Sequence, residues 1–321
     1  MKLIIQIPCF NEAESLPVTL QALPRSVPGF RIVEWLIVDD GSEDGTARIA
    51  KENGVDHIIR HTRNQGLARA FMTGLQECVR LGADIIVNTD ADNQYNAADI
   101  PALTEPIIAG RADIVIGARP TSTIQHFTLL KKILQRIGSS VVRALSGTDI
   151  PDAPSGFRAF GRNAAQQLMV FGEYTYTIET IIQAGHKNMA ITSVPVRVNG
   201  ELRPSRLIRS VPLYIRQAII TIIRIFVIYR PFRFFGTLGA IIFSVGILVG
   251  LRFLYFLAIG EGDGHVQSLI LASVLLGMGY QTLLVAFIAD LLAANRKLLE
   301  EVRYIVKQAR DENSNCNSAG Q

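Results

Sequence analysis

Short apolar runs alternate with amphipathic stretches through the first 120 residues of the chain. The apolar runs predict five strands, at residues 3–8, 35–38, 57–59, 84–87 and 114–116. The stretches between them predict helices at residues 11–23, 47–53, 67–81 and 98–109. Strands that alternate with helices in this order indicate an α/β fold, in which a mostly parallel sheet is flanked by helices on both faces.

The pattern becomes less regular after residue 119. The sequence predicts a helix at 127–145, a turn-rich loop at 151–158, two further helices at 163–170 and 177–184, and a late strand at 191–198. These elements extend the first domain to about residue 206.

Two long apolar stretches follow, and each is long enough to cross a hydrocarbon core of about 30 Å. They predict transmembrane helices at about 234–259 and 266–291, joined by a tight turn that carries Glu261 and Asp263. The two ends of the hairpin away from this turn carry cationic residues instead: Arg224, Arg230, Arg233, Arg296, Lys297 and Arg303. The positive-inside rule therefore places both ends in the cytoplasm.

These patterns divide the chain into four parts. Residues 1–206 form the predicted catalytic domain, 207–232 a juxtamembrane segment, 233–294 the membrane hairpin and 295–321 a cytoplasmic tail. A helix lying in the membrane interface is preferred for the juxtamembrane segment, and a third membrane-embedded segment is the alternative. The polar residues after 310 predict a disordered end.

The net charge of +4 and the hydrophobic fraction of 49% are both unevenly distributed. Apolar residues concentrate after residue 210, and basic residues cluster at 197–233 and 296–310. This placement favours an anionic membrane surface as partner, and no nucleic-acid reader motif is present. The three cysteines and five histidines are scattered, which excludes a disulfide framework and a histidine-ligated zinc site. No signal peptide is predicted at the N-terminus, so the first domain is expected in the cytoplasm.

The candidate chemistry begins directly after the strand at 84–87. Asp90 and Asp92 stand two apart, so their side chains can point the same way on an extended chain, and Gln94 adds an oxygen at the same spacing. Carboxylates in this arrangement suit Mg²⁺ or Mn²⁺ held together with substrate phosphates. Taken alone, the stretch would more often be a polar turn.

The neighbouring loops change that assessment. Residues 8–12, 39–42, 90–94 and 117–119 all follow predicted strands, and such loops converge on one rim of a parallel sheet. Three of them carry carboxylates and the fourth carries Arg119, as expected of a cleft for a metal and a polyphosphate. The glycine-rich dinucleotide motif and the Walker motif are both missing from the sequence.

Five ordered motifs resemble those of the family-2 glycosyltransferases of the GT-A (Rossmann-like) fold: Pro8-x-x-Asn11-Glu12, Asp39-Asp40-Gly41-Ser42, Asn64-x-Gly66, Asp90-x-Asp92-x-Gln94 and Asp152-x-x-Ser155-Gly156-Phe157-Arg158. The last motif is similar to that of the polyprenyl-phosphate sugar transferases, the group that contains dolichol-phosphate mannose synthase. The motifs cover residues 3–206, and members with a two-helix membrane anchor match the remainder in outline.

The resemblance implies roles for individual residues. The nucleotide sugar would be bound by Pro8, Asn11, Glu12, Asp39, Asp40, Asn64, Asp90 and Ala91. Asp92 and Gln94 would hold Mg²⁺ or Mn²⁺. The acceptor phosphate would be bound by Arg119, Arg136, Ser140, Arg158 and Arg206, although Arg158 would alternatively brace its own loop. Asp92, Arg119 and Arg206 would be the catalytic residues.

A phosphate acceptor also agrees with the residue types. Its second pKa is near about 6, so it is mostly dianionic at neutral pH and needs arginines rather than a general base. Glu179 is the alternative, as a base for a hydroxyl acceptor.

The sequence therefore predicts an integral membrane enzyme, at a prokaryotic plasma membrane or its equivalent. It would transfer a hexose from a nucleotide sugar, GDP-mannose or a UDP-hexose such as UDP-glucose, to polyprenyl phosphate, with inversion and with a metal ion. Transfer to another lipid or glycan hydroxyl is one alternative, and a non-catalytic nucleotide-binding scaffold is another. The donor and a homo-oligomeric state are left open.

Overall fold

The computed structural model describes residues 1–120, 140, 142–143, 146–170, 176–200, 220, 223–224, 226–260 and 262–319. The chain divides into two compact units, Met1–Ile215 and Arg216–Gln321. The four-part division proposed from the sequence stays a prediction at its finer boundaries.

The first unit is built on a seven-stranded sheet with the order β3-β2-β1-β4-β6-β5-β7. The strands are β1 (Lys2–Cys9), β2 (Ile32–Asp39), β3 (His57–Arg60), β4 (Ile85–Asn88), β5 (Ile114–Ala118), β6 (Arg158–Gly161) and β7 (Ile191–Pro195). Of these described strands only β6 runs antiparallel, and it lies between β4 and β5. The predicted mostly parallel α/β fold is confirmed.

The helices of this unit are α1 (Leu16–Ala22), α2 (Thr46–Glu52), α3 (Leu67–Arg80), α4 (Ile100–Ile108), α5 (Arg162–Gln167) and α6 (Thr177–His186). They cover both faces of the sheet, as β1 illustrates. Leu3, Ile5 and Ile7 belong to one buried cluster, whereas Ile4 packs with Phe71 in the other. A strand buried on both faces is a continuous apolar run, which explains the pattern at the N-terminus.

The first helix starts later than the sequence predicts. It was expected from residue 11 but begins at Leu16. Asn11 adopts a left-handed conformation with φ of 53°. The backbone N–H groups of Asn11 and Glu12 donate to Ser42 Oγ and Thr46 Oγ1, both at 2.9 Å. The side chains of the next loop thus replace the helical bonds, and residues 11–15 become part of the sheet rim.

Strand β6 is not predicted by the sequence. The sequence predicts a loop through residue 158, but Arg158–Gly161 pairs with both β4 and β5. Its four residues, Arg-Ala-Phe-Gly, form no apolar run, so periodicity does not indicate a strand. The strand forms because the facing backbone N–H and C=O groups of β4 and β5 need hydrogen-bonding partners, and β6 pairs with both strands.

The second unit contains two long helices, α7 (Pro231–Ala258) and α8 (Val266–Ala319). Both are long and apolar enough to cross a membrane over Pro231–Ala258 and Val266–Leu299, which agrees with the predicted hairpin. The disorder predicted after residue 310 stays a prediction; the helix assignment of α8 extends to Ala319. No glycine or proline interrupts the sequence between 280 and 318, so nothing breaks the helix there. Most of the predicted interface helix lies outside the described residues.

Glycines allow α7 and α8 to approach each other closely. A Cβ on Gly279 would lie 2.7 Å from Phe243 N, and one on Gly246 would lie 2.9 Å from Leu276 N. Close backbone approach at small residues is the usual basis of helix association in membranes.

Gly279→Ala is therefore expected to destabilise the hairpin by about 1–3 kcal/mol, since the added methyl group overlaps backbone atoms that cannot rotate away. Thermal unfolding of the detergent-solubilised protein, followed by circular dichroism at 222 nm, measures the change. Gly277→Ala on the same helix is the matched control, because a Cβ added to Gly277 would have no described atom within 4 Å. Equal midpoints for the two variants would contradict this packing.

Candidate active site

The loops that follow β1, β2 and β4 bring carboxylates to one rim of the sheet, and the loop after β5 brings Arg119. The pKa of the Cys9 thiol, at the end of β1, reflects the charges of these carboxylates. Burial raises this pKa well above its ordinary value, and the charges of Glu12, Asp39, Asp44 and Asp90 raise it further. Four carboxylates from three loops therefore lie close to one buried atom. The predicted convergence of the rim loops is present in the structure.

The loop after β4 contains the central carboxylates. Asp92 Oδ1 accepts a hydrogen bond from the Gln94 N–H at 3.1 Å, and Asn93 between them has a left-handed φ of 55°. Asparagine tolerates this conformation better than most residues. The resulting tight turn holds Asp92 and Gln94 on one short segment at the rim.

Two residues from distant parts of the chain donate hydrogen bonds to backbone carbonyls of this turn. Asn199, four residues after β7, donates from Nδ2 to the carbonyl of Asn93 at 3.0 Å, and its N–H donates to the carbonyl of Gln94 at 2.9 Å. Thr19 Oγ1 donates to the carbonyl of Ala91 at 2.8 Å. Neither residue is indicated by the sequence, because both are distant in the chain and belong to no local motif.

Asp90 lies in surroundings that oppose its negative charge. Burial raises its pKa to about 7, the nearby charge of Asp92 adds to the rise, and Arg119 opposes it. Two adjacent carboxylates with incomplete compensation are a donor set that suits a divalent cation. Within the described part of the chain, no group of three or more His, Cys, Asp or Glu side chains could hold a metal ion. Asp90 and Asp92 fit a magnesium-type site, in which one or two carboxylates share the ion with substrate phosphates.

Arg119 lies at the end of the β5 loop and is fixed in place by Asp152. Its Nε and Nη2 atoms donate to the two carboxylate oxygens at 2.7 and 3.0 Å. Burial alone would lower the pKa of Arg119, but Tyr95, Asp152 and Asp90 raise it above its ordinary value. The guanidinium is therefore charged, oriented and close enough to Asp90 for each to shift the other's pKa.

Gly156 connects the Asp152-to-Arg158 motif to the carboxylate loop. Its N–H donates to Tyr95 Oη at 2.9 Å, and its carbonyl accepts from Asn88 Nδ2 at 2.8 Å. Asn88 Nδ2 also lies 2.9 Å from Tyr176 Oη. This buried polar network joins the end of β4 to a segment about 70 residues away, which is why local sequence patterns did not reveal Asn88, Tyr95 or Tyr176.

Gly156→Ala is expected to reduce activity about 10- to 100-fold, because a Cβ there would lie 2.9 Å from Asp90 Oδ2 and 3.0 Å from Tyr176 Oη. Initial rates at saturating substrate measure the loss. Gly200→Ala is the control, since a Cβ at Gly200 meets no described atom within 4 Å. If Gly156→Ala had the same rate as Gly200→Ala, the catalytic position of the Asp90 carboxylate would not depend on the absence of a side chain at residue 156.

The two adjacent aspartates at the end of β2 differ in their surroundings. Asp39 Oδ1 accepts the Ser42 N–H at 2.9 Å, whereas its buried Oδ2 has no hydrogen-bond partner among the described residues and only Arg60 Nε at 3.3 Å. Both oxygens of Asp40 are instead bonded within the chain, to His61, Gln65 and Gly66. Asp40 is therefore bonded within the chain, whereas Asp39 keeps one carboxylate oxygen without a hydrogen bond from the described residues.

The remaining predicted nucleotide-binding residues lie on the same rim. Pro8 is buried in β1, and Asn11 Oδ1 accepts the Glu43 N–H at 3.0 Å. An open cleft between the first two rim loops is lined by Asn11, Glu12 and neighbouring residues of both loops. Asn64 is exposed and accepts the Gly66 N–H at 3.0 Å. Their contacts with a nucleotide stay predictions.

The structure favours the bracing alternative for Arg158. The side chain is 0% exposed, and its nitrogen atoms donate to the carbonyls of Ala153, Ser155 and Thr177 and to Thr180 Oγ1. A side chain held in this way supports the motif loop and has no surface to offer a phosphate. Arg136 and Arg206 lie outside the described residues, and Ser140 is an exposed helical residue.

Comparison with known proteins agrees with the fold and the site. The sequence profile of glycosyl transferase family 2 matches residues 4–169, more than half of the chain. The chain belongs to this family and is a glycosyltransferase.

Three curated relatives are more specific. Over 204 residues the chain is 28% identical to polyprenol monophosphomannose synthase of Mycolicibacterium smegmatis, covering 60% of this chain and 76% of that protein. It is 29% identical to undecaprenyl-phosphate mannosyltransferase of Micrococcus luteus, with 64% and 88% covered. It is 30% identical to UDP-N-acetylglucosamine–dolichyl-phosphate N-acetylglucosaminyltransferase of Methanococcus voltae, with 60% and 83% covered.

Solved structures confirm the fold. Glucosyl-3-phosphoglycerate synthase of Mycobacterium tuberculosis, crystallised with Mn²⁺, UDP and glucosyl-3-phosphoglycerate, superposes with a TM-score of 0.54 at 16% identity, covering 70% of this chain and 78% of that one. The predicted GT-A-like arrangement of a mostly parallel sheet with flanking helices is therefore confirmed.

Proposed function

We propose that this protein transfers a hexose from a nucleotide sugar to polyprenyl phosphate, with inversion and with a divalent metal ion, at the cytoplasmic face of a membrane. The observation that carries the proposal is the position of Asp90 at the sheet rim, where the charges of both Asp92 and Arg119 act on its carboxylate. A cation-binding group thus lies beside a fixed arginine. The three relatives support the acceptor, since each is named for a polyprenol, undecaprenyl or dolichyl phosphate product or substrate.

The donor would bind along the rim, with its nucleoside toward the loops after β1 and β2. Asp39 Oδ2 is a buried acceptor that receives no hydrogen bond from the described residues, and only the 61% exposed Arg60 side chain covers it. Movement of Arg60 would open this oxygen to a nucleoside N–H or hydroxyl group. Asp92 and Gln94 would hold Mg²⁺ or Mn²⁺, which when bound neutralises charge on the departing diphosphate. Asp90 would lie beside the ribose and the diphosphate.

The acceptor phosphate would be bound by Arg119, with Arg136, Ser140 and Arg206 as further candidates. The pair with Asp152 uses two of the five N–H donors of the Arg119 guanidinium and fixes its plane. Paired donors in a fixed plane match phosphate geometry. Because a phosphate monoester is already dianionic at neutral pH, it attacks without a general base, and one direct displacement inverts the anomeric carbon.

The second unit would keep the enzyme at its lipid substrate. Arg230 and Arg233 flank the start of α7, and Arg296 and Lys297 lie at the end of the apolar span of α8. The turn between the helices carries only acidic charges. By the positive-inside rule this distribution supports a cytoplasmic position for both ends of the hairpin.

The test is transfer by purified protein with Mn²⁺, polyprenyl phosphate and radiolabelled UDP-glucose, UDP-N-acetylglucosamine or GDP-mannose. We expect a chloroform-soluble product with one donor, none with unphosphorylated polyprenol, and loss of product with excess EDTA. Asp92→Asn should lower the rate at least about 100-fold. Absence of lipid product with every donor would refute the acceptor assignment. An unchanged rate in EDTA would refute the roles of Asp92 and Gln94.

A further inference from the structure

The Asp40 carboxylate connects two rim loops. It is 2% exposed and lies at the end of β2. Its Oδ1 is 2.7 Å from His61 Nδ1 and accepts the Gln65 N–H at 2.9 Å, and its Oδ2 accepts the Gly66 N–H at 2.8 Å. Gly66 precedes the first residue of α3, so the carboxylate also lies where the helix dipole favours negative charge.

His61 joins this carboxylate to the helix behind it. The His61 side chain is 9% exposed, and its ring Nε2 lies 3.1 Å from Thr73 Oγ1 on α3. The backbone N–H of His61 donates to the Asp39 carbonyl at 2.9 Å. Because the Asp40 carboxylate accepts, the facing Nδ1–H donates to it, and Nε2 pairs with the Thr73 hydroxyl, which can donate or accept. Such paired contacts on both ring nitrogens fix the orientation of an imidazole.

The loop that these two residues hold packs directly on the Asp39–Ser42 loop. A Cβ on Gly41 would lie 2.6 Å from the carbonyl carbon of Arg63 and 2.8 Å from Asn64 N, so the two backbones are in contact. Gly41 and Gly66 both adopt positive φ, at 76° and 92°. A shift of Asp40 would therefore move Asn64 relative to Asp39.

We propose that His61 is a positioning residue for donor binding: through Nδ1–H and Asp40 it holds residues 64–66 against Asp39 so that the nucleotide pocket is formed before the donor arrives. The proposal rests on the proposed function in that the ligand is a nucleotide sugar. It assigns the two adjacent aspartates different tasks, with Asp39 Oδ2 facing the donor and Asp40 acting within the chain. A pre-formed pocket binds more tightly because less loop ordering accompanies binding.

The test is a pair of substitutions that each retain one ring nitrogen. The amide nitrogen of His61→Asn occupies the place of Nδ1 and keeps the donor to Asp40, whereas that of His61→Gln occupies the place of Nε2 and loses it. We expect His61→Gln to raise the donor KM about 10-fold with kcat within about 2-fold of wild type, and His61→Asn to stay within about 3-fold in both. The donor is whichever of UDP-glucose, UDP-N-acetylglucosamine and GDP-mannose is turned over.

Amide hydrogen exchange of the nucleotide-free protein provides a readout that does not need turnover. Gln65 and Gly66 should exchange about 10-fold faster in His61→Gln and at the wild-type rate in His61→Asn. His57→Gln is the control, because His57 lies on the strand before this loop and pairs with Glu34 at 2.7 Å. Equal exchange and equal KM in His61→Asn and His61→Gln would overturn the proposal. A wild-type protein that transfers no sugar would refute the proposed function, while the exchange result would still decide the role of His61.

Discussion

Replacing Asp90 by asparagine should raise the thermal midpoint of the metal-free protein at pH 8 by about 3–9 °C and lower its transfer rate at least about 100-fold. The two effects have one cause. Burial, with the charge of Asp92 added, raises the pKa of Asp90 to about 7. The folded state therefore holds an ionised carboxylate at pH 8 in surroundings that oppose its charge.

The direction of the pH dependence follows from linkage. An aspartate in the unfolded chain ionises near about pH 3.9, whereas the folded Asp90 has a pKa of about 7. Below both values the carboxyl is neutral in both states and has no linked effect. Stability is lost as the pH rises between them, and the loss is complete above the folded pKa. Asp90 is partly exposed, so water screens part of this effect and the loss of stability amounts to about 1–3 kcal/mol.

The advantage of Asp90→Asn should therefore be absent near pH 4, grow as the pH rises towards 7 and remain constant above it. Differential scanning fluorimetry in EDTA across this range measures it. Asp149→Asn is the control, since its carboxylate is 95% exposed and its removal should change the midpoint by less than about 1 °C. A lower midpoint for Asp90→Asn at pH 8 would show that the carboxylate stabilises the fold.

Such opposed effects on stability and activity are expected where a protein holds charges ready for a ligand. Addition of Mn²⁺ with UDP or GDP should narrow the difference in midpoint, because a bound cation stabilises the ionised Asp90 of the wild type and the amide gains less. If the difference in thermal midpoint between Asp90→Asn and wild type did not change on addition of metal and nucleotide, Asp90 would not be part of the donor site.

The sequence was informative where structure is local. The order of β1 to β5, the convergence of their loops and the two apolar helices all follow from periodicity and from the rule that ligands bind at the carboxyl ends of parallel strands. The positions of Asp90 and Asp92 at the end of β4 belong to this group.

What could not be predicted depends on contacts between distant segments. Gly156 meets Tyr95 and Asn88 across 61 and 68 residues of sequence, and Asn199 reaches the Asn93 carbonyl across 106. These partners are chosen by the packing of β6 and β7, which no local pattern indicates. The inward orientation of Asp40 is likewise set by the N–H groups of Gln65 and Gly66.

Arg158 illustrates how burial changes the interpretation of a motif residue. In the sequence it is an arginine near a phosphate site, but its guanidinium is 0% exposed and satisfies three backbone carbonyls and one hydroxyl. Burial lowers its pKa to about 10, so it is still charged at neutral pH. Its removal would take one hydrogen-bond donor away from each of those buried groups, and a buried polar group that is left unsatisfied costs about 1–3 kcal/mol.

Arg158→Met, which preserves an unbranched side chain, is therefore expected to destabilise the protein by about 3–5 kcal/mol and to lower its thermal midpoint by about 6–15 °C. Arg158→Lys should be nearly as damaging, because a single ammonium cannot reproduce the planar set of donors. The control is Arg111→Met, whose guanidinium is 63% exposed and whose ion pair with Glu105 contributes at most about 1 kcal/mol.

The lysine variant also distinguishes bracing from phosphate binding. A residue that contacts the acceptor would tolerate lysine, since an ammonium still attracts phosphate, and would show a raised KM for polyprenyl phosphate at an unchanged midpoint. A bracing residue loses stability first, and activity falls because Gly156 and the Asp90 carboxylate in contact with it are displaced together. An Arg158→Lys protein with a wild-type midpoint and a selectively raised acceptor KM would place Arg158 in the acceptor site.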